Sequence, residues 1–184
     1  MGFSLILGFA PFPTGNAHKS QPVAVVAPAI PGHIVTMTAY NAVAEQTDGN
    51  PFETASGAYS NPEIIAARSR DLADELPFGT IIEIDGSTIS PGNTCGYGVV
   101  AHHIGYRVIE DTMNARYTDR VDVLLNTEEE SVSSDGRSIN AANVFGICKG
   151  VTVRVVGFVD IRHLPKTQAG LAALVKKGTV LAVK

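Results

Sequence analysis

Short β-branched and aliphatic runs recur from His33 to Val159 with no long amphipathic helix between them, and this spacing most narrows the folds open to the chain. Runs so short bury their side chains only by pairing laterally, and strands repeated at close intervals resolve into a closed barrel or a sandwich. Eighteen Gly and ten Pro supply the tight turns that such a path needs. At 184 residues, there is room for one domain with small appendages. Hydrophobic residues make up 45% and charged residues 17%, which excludes a chain that is disordered throughout. Fourteen Lys+Arg against 18 Asp+Glu leave a net charge of −4, so no basic field is present to bind nucleic acid or anionic lipid. No apolar run approaches the roughly 20 residues of a transmembrane helix.

The expected strands are Ile34 to Tyr40, a short one at Ile64-Ile65, Thr80 to Ile84, Val99 to Ala101, Tyr106 to Ile109, Val121 to Leu125 and Val151 to Val159. A turn of helix is expected over Asp71 to Leu76, stopped by Pro77, and a longer helix over Gln168 to Lys177, with an edge strand at Thr179 to Val183. Two polar, glycine- and serine-rich stretches, 85–98 and 126–143, read as surface loops.

At the N-terminus, an apolar stretch from Met1 to Phe12 precedes small residues that resemble a processing site, and prolines at 22, 28 and 31 break the segment that follows. Residues 1–32 are therefore expected to form an export signal and tether, residues 33–160 the barrel, and residues 161–184 the C-terminal helix and edge strand. The protein is expected to work outside the cytoplasm, in the periplasm or at the cell wall. Cys95 and Cys148 have no zinc-ligand spacing, and two readings stay open: a disulfide closing a long loop, or two buried thiols.

Polar chemistry concentrates between Tyr106 and Leu125. Strand alternation puts Glu110 and Asp111 on opposite faces, so only one of them points with Arg107 and Ile109. Asp122 shares a face with Arg120 and Leu124 while Val121, Val123 and Leu125 fill the other, which sets a carboxyl inside an apolar strand. Such a carboxyl is paired, hydrogen-bonded, or raised in pKa, and the last is what a general acid at neutral pH requires. The bland alternative is an ion pair to Arg107, Arg116 or Arg120.

Five short segments, Thr36-Met37-Thr38-Ala39-Tyr40, Thr54-Ala55-Ser56-Gly57, Ala66-Ala67 leading into Leu76-Pro77-Phe78-Gly79-Thr80, Val108 to Met113 and Arg120-Val121-Asp122-Val123, occur in an order that resembles the three-aspartate (3D) domain. That domain is similar to the catalytic barrel of membrane-bound lytic transglycosylase A. The resemblance implies a six-stranded double-psi β-barrel that cuts the β-1,4 bond between N-acetylmuramic acid and N-acetylglucosamine in peptidoglycan glycan strands. The cleavage is non-hydrolytic: the sugar's 6-hydroxyl attacks the anomeric carbon, so one carboxyl serves first as acid and then as base. By this resemblance Asp122 is that acid/base, and Asp111 orients it or stabilises the charge at the anomeric carbon. The third aspartate falls at Leu72 in the family's register, and the neighbouring Asp71, in preference to Asp74, is assigned to it. Tyr40, Thr54, Ser56, Gly79 and Thr80 match the groove's sugar-facing positions, with strand-end and turn roles as the alternative. The glycine-rich continuation usual after the second aspartate is replaced by Met113-Asn114-Ala115-Arg116. A barrel that grips glycan strands or a partner without cutting them is the competing function.

No cofactor is expected. His102-His103 would face opposite ways on a strand and make a poor chelate, and Glu128-Glu129-Glu130 lacks the alternating oxygens of a calcium loop.

Overall fold

The computed structural model describes Gly2 and residues 32–47, 49–86, 89, 93 and 95–178. The expected export segment, apart from Gly2 and Gly32, lies outside the described residues, as does the edge strand at 179–183. Six strands close into a barrel: β1 (Gly32–Asn41), β2 (Ile65–Arg68), β3 (Thr80–Asp85), β4 (Arg107–Thr112), β5 (Arg120–Leu125) and β8 (Cys148–Phe158), in the order β1-β5-β2-β4-β3-β8. Pairings β1–β5 and β2–β4 are parallel and the remainder antiparallel.

Both faces of the barrel wall are apolar, which explains why the strands read as near-continuous hydrophobic runs. One face carries Met37, Ala66, Ile82, Ile109, Val121, Val123 and Val153; it is covered by α1 (Tyr97–Val100) and α2 (Ala141–Phe145) through Val100 and Phe145. The other carries Tyr40, Ile65, Ala67, Ile81, Val108 and Leu124, with Leu171 of α3 (Gln168–Lys176) packed on it. Thr167 caps α3 by accepting from the Gly170 amide at 3.2 Å. Gln168 ties the helix start to the barrel by donating to Tyr106 O at 2.7 Å.

Three sequence expectations need correction. Val99 to Ala101 is helical rather than a strand, because Val100 and Ile104, both buried, recur at the four-residue spacing of a helix face. The 126–143 stretch is not a plain loop: β6 (Glu130–Val132) and β7 (Ser138–Asn140) pair as a hairpin there, leading into α2, whose first turn Asn140 caps by accepting from Ala142 N at 2.9 Å. His102 and His103 lie on a 3-10 turn with their rings 3.7 Å apart, not on a strand, and His103 Nδ1 meets Glu129 Oε1 at 2.7 Å.

Of the two cysteine readings, the disulfide holds: Cys95 is bonded to Cys148 at the start of β8 across a separation of 53 residues. It pins the segment before α1 to the barrel. In the chain-entropy account, a loop of that size contributes about 4 kcal/mol, at the top of the usual range of about 2–4. Urea unfolding with and without reductant, and of a Cys95→Ser/Cys148→Ser variant, is expected to show that loss as a lower midpoint with the barrel still formed.

Candidate functional site

Whether the two aspartates of β4 and β5 meet depends on one irregularity. On β2, Ala66 pairs with Ile109 of β4 but the next residue, Ala67, pairs with Asp111, so Glu110 is the extra residue of a β-bulge. Period-two alternation would have put Asp111 on the Arg107 and Ile109 face. The bulge resets the phase: Ile109 packs in one apolar cluster, whereas Asp111 aligns with Ala67, which belongs to the opposite one. On its other side Ala67 pairs with Asp122 of β5, and Asp122 pairs with Thr38 of β1. Thr38, Asp122, Ala67 and Asp111 thus form one row across four adjacent strands. Strand spacing puts the two aspartate backbones about 10 Å apart. Ala67, with only a methyl group, leaves open the space between them.

This row floors a groove of about 740 Å³. Tyr40, Glu45, Glu53, Ala55, Arg70 and Arg116 are among its walls. Asp122 accepts a hydrogen bond from Thr38 Oγ1 at 2.8 Å. Burial pushes its pKa up to about 7; Thr38 and the charge of Arg120 oppose the shift, and the negative charge of Asp111 adds to it. Asp122 makes no ion pair among the described residues, so the bland alternative of a salt bridge does not hold. Arg107, one of the proposed partners, is fully buried and turned instead to three carbonyls, Pro62 O and His103 O at 2.6 Å and Leu124 O at 3.1 Å.

Asp111 is held differently. Its oxygens accept from Tyr40 Oη at 2.9 Å, Ala55 N at 3.0 Å and Thr112 N at 2.8 Å. All three groups present donors, the arrangement a carboxylate accepts. Burial and the neighbouring Asp111 raise Tyr40 well above the usual phenol value, which keeps the hydroxyl a donor. The groove therefore holds two carboxyls in unlike surroundings, one half-buried in an apolar strand with a single donor and one with three.

Other residues singled out from the sequence are placed elsewhere. Asp71 is exposed and outside the groove: its carboxylate accepts from Asp119 N at 2.8 Å, and hydrogen bonds from Ser69 and Asp119 hold its pKa low. Asp119 sits at φ 51°, a left-handed conformation that Asp tolerates, and Asp71 thus secures the turn into β5 just ahead of Arg120. Thr54 and Ser56 bond each other at 3.1 Å, and Ser56 N donates to Glu110 O, which seats the intervening Ala55 against Asp111. Thr80 is fully buried and donates to Pro77 O at 2.6 Å. Gly79 has φ +87°, and a Cβ there would meet Val159 O at 2.5 Å, so its requirement is steric. Of the five sugar-facing candidates, only Tyr40 lines the groove.

Sequence reasoning passed over Thr38, Ala67, Arg70, Arg116 and Arg120 as groove residues. Thr38 carries no signal of its own, since Thr36 and Thr38 alternate with Met37 as in any half-buried strand. Glu110, which alternation sets opposite Asp111, is the bulge residue: its carboxyl is wholly buried, has no hydrogen bond of ordinary geometry, and is raised in pKa chiefly by burial. No family model matches the chain, and no curated protein matches it.

Proposed function

We propose that the protein cleaves the β-1,4 glycosidic bond of peptidoglycan strands as a lytic transglycosylase, with Asp122 as the single acid/base. The observation that carries this reading is the pairing, in one groove, of a carboxyl that keeps its proton to about pH 7 with a second carboxyl bound by three donors. Protonated Asp122 gives its proton to the glycosidic oxygen as the C1–O4 bond breaks. The carboxylate of Asp111 stabilises the positive charge growing at C1. Asp122, now ionised, takes the proton of the same sugar's 6-hydroxyl as O6 bonds to C1. The 1,6-anhydro ring closes and the acid is regenerated with no water consumed. A disulfide in the barrel suits an oxidising compartment, in keeping with work at the cell wall.

Incubation with purified peptidoglycan followed by mass spectrometry is expected to give anhydromuropeptides from the wild type and none from Asp122→Asn. Because the acid must start protonated, kcat/KM is expected to fall with rising pH above about 7, approaching ten-fold per unit. Equal products from both proteins would remove Asp122 from catalysis. Glycan binding without any product would favour the binding-module reading, which the diversion of Asp71 to the Asp119 turn also favours.

A further inference from the structure

The groove is electrically lopsided. Arg70, Arg116 and Arg120 line it, and none has an acidic partner within ion-pair distance among the described residues. The guanidinium carbons of Arg116 and Arg120 lie 4.8 and 4.7 Å from the centroid of the Tyr117 ring, and Arg116 Nη2 donates to Tyr117 Oη at 2.8 Å. Ser69, next to Arg70 in the chain, is tied to Arg120, since Ser69 N donates to Arg120 O at 2.9 Å and Arg120 N donates to Ser69 Oγ at 3.0 Å, and Arg70 lines the same groove. In a chain of net charge −4, two guanidiniums over one ring and a third lining the same groove, none with an acidic partner among the described residues, are not surplus positive charge. Like charges lining one groove repel, and a bound anion would offset that repulsion. Of the acidic groove residues, Asp111 and Asp122 sit in the strand row and Glu45 and Glu53 follow β1 in the chain, while Arg120 precedes Asp122 by two residues, about 7 Å along β5 on the same side.

From this we propose that the Arg70–Arg116–Arg120 end of the groove is a subsite for a carboxylate borne by the sugar strand, next to the bond facing Asp122. The ligand class is a glycan with carboxylate side groups, such as the lactyl acids of muramyl residues, rather than a neutral strand. Its identification with a cleaved substrate rests on the function proposed above; the anion subsite itself does not. Arg116 belongs to the segment that replaces the family's glycine-rich continuation, so this recognition is the chain's own feature. Guanidiniums suit the task because their planar fork matches a carboxylate with two hydrogen bonds. A bound anion also offsets Arg120, whose charge otherwise favours the ionised form of Asp122, so an occupied subsite leaves the acid more firmly protonated.

The test measures binding by calorimetry to the full chain carrying Asp122→Asn, which prevents turnover. Three probes are used: peptide-free peptidoglycan oligomers with free muramyl carboxylates, the same oligomers converted to methyl amides, and chitohexaose. The acidic oligomers are expected to bind at least about ten-fold more tightly than either neutral probe at low salt. That preference should vanish in Arg116→Gln/Arg120→Gln and survive in part in Arg116→Lys, with melting temperatures confirming that each variant folds. Equal affinity for acidic and amidated oligomers, an unchanged preference in the glutamine variant, or no binding to any probe would overturn the subsite. Retained preference with no cleavage by the wild type would sink the catalytic reading and leave the subsite standing.

Discussion

Asp122→Asn is expected to melt higher than the wild type at pH 8 and at the same temperature at pH 4, while losing all cleavage activity. Both effects have one cause. The folded pKa of Asp122 is about 7, against about 3.9 for an unfolded aspartate. Between those values the native state binds more protons than the unfolded one, so stability falls as pH rises, and the loss is complete above about 7. Below about 4 both states are protonated and the cost vanishes. A shift of about three units corresponds to an upper limit near 4 kcal/mol, and partial solvent access brings the expected gain of the asparagine variant to about 2–4 kcal/mol at pH 8. For a domain of this size, that is roughly 5–12 °C. Asparagine keeps an oxygen for the Thr38 hydroxyl, so the gain is not cancelled by a lost partner. Melting curves of both proteins from pH 4 to 8 check the expectation; a variant less stable than wild type at pH 8 would mean that Asp122 is a structural anion.

Arg107→Ala is expected to cost the most stability of any single change, about 3–5 kcal/mol. Burial lowers the guanidinium to about 10, so it stays charged at neutral pH although it lies wholly inside. What offsets its desolvation is the set of three carbonyls, from Pro62 ahead of β2, from Leu124 on β5 and from His103 on the turn before β4. Truncation leaves these acceptors without their donor and opens a cavity among apolar side chains. Arg107→Lys keeps a charge but has one ammonium for three diverging oxygens, and an intermediate loss is expected. Urea midpoints at constant slope measure both changes. Because the same clamp joins β2, β4 and β5, the strands that carry Ala67, Asp111 and Asp122, Arg107→Ala should also loosen the groove; a midpoint within about 1 kcal/mol of wild type would contradict this role.

The barrel was legible where β-branched residues cluster: Ile34 to Tyr40, Thr80 to Ile84, Val121 to Leu125 and Val151 to Val159 all lie largely within observed strands. Each of these runs has too many χ1-restricted side chains to favour a helix. The run at Val99 is ambiguous because three residues do not distinguish period two from period 3.6, and the helix face shows only once Ile104, beyond the run, is included. At the site, a carboxyl between Val121 and Val123 was visible as an anomaly in an apolar strand, which is why Asp122 could be marked at once. The position of Asp111 was not readable by alternation, since a bulge at Glu110 is set by how β4 pairs with β2 and leaves no local signature. Thr38 meets Asp122 across 84 residues through parallel pairing, a contact no local pattern encodes. Asp71 was chosen by register with a motif; its carboxylate goes to the Asp119 amide because the chain turns there at positive φ and needs a partner for that N–H. From the sequence, Arg116 and Arg120 stand out only as ion-pair partners for Asp122 and Arg70 not at all; it is the fold that gathers Arg116 and Arg120 over Tyr117.

The most direct test of the account is a carbon-detected NMR titration of the side-chain carboxyls, with Asp122→Asn identifying the resonance. The proton on Asp122 should come off with a midpoint near 7. A midpoint near 4, that of a solvated aspartate, would contradict the account.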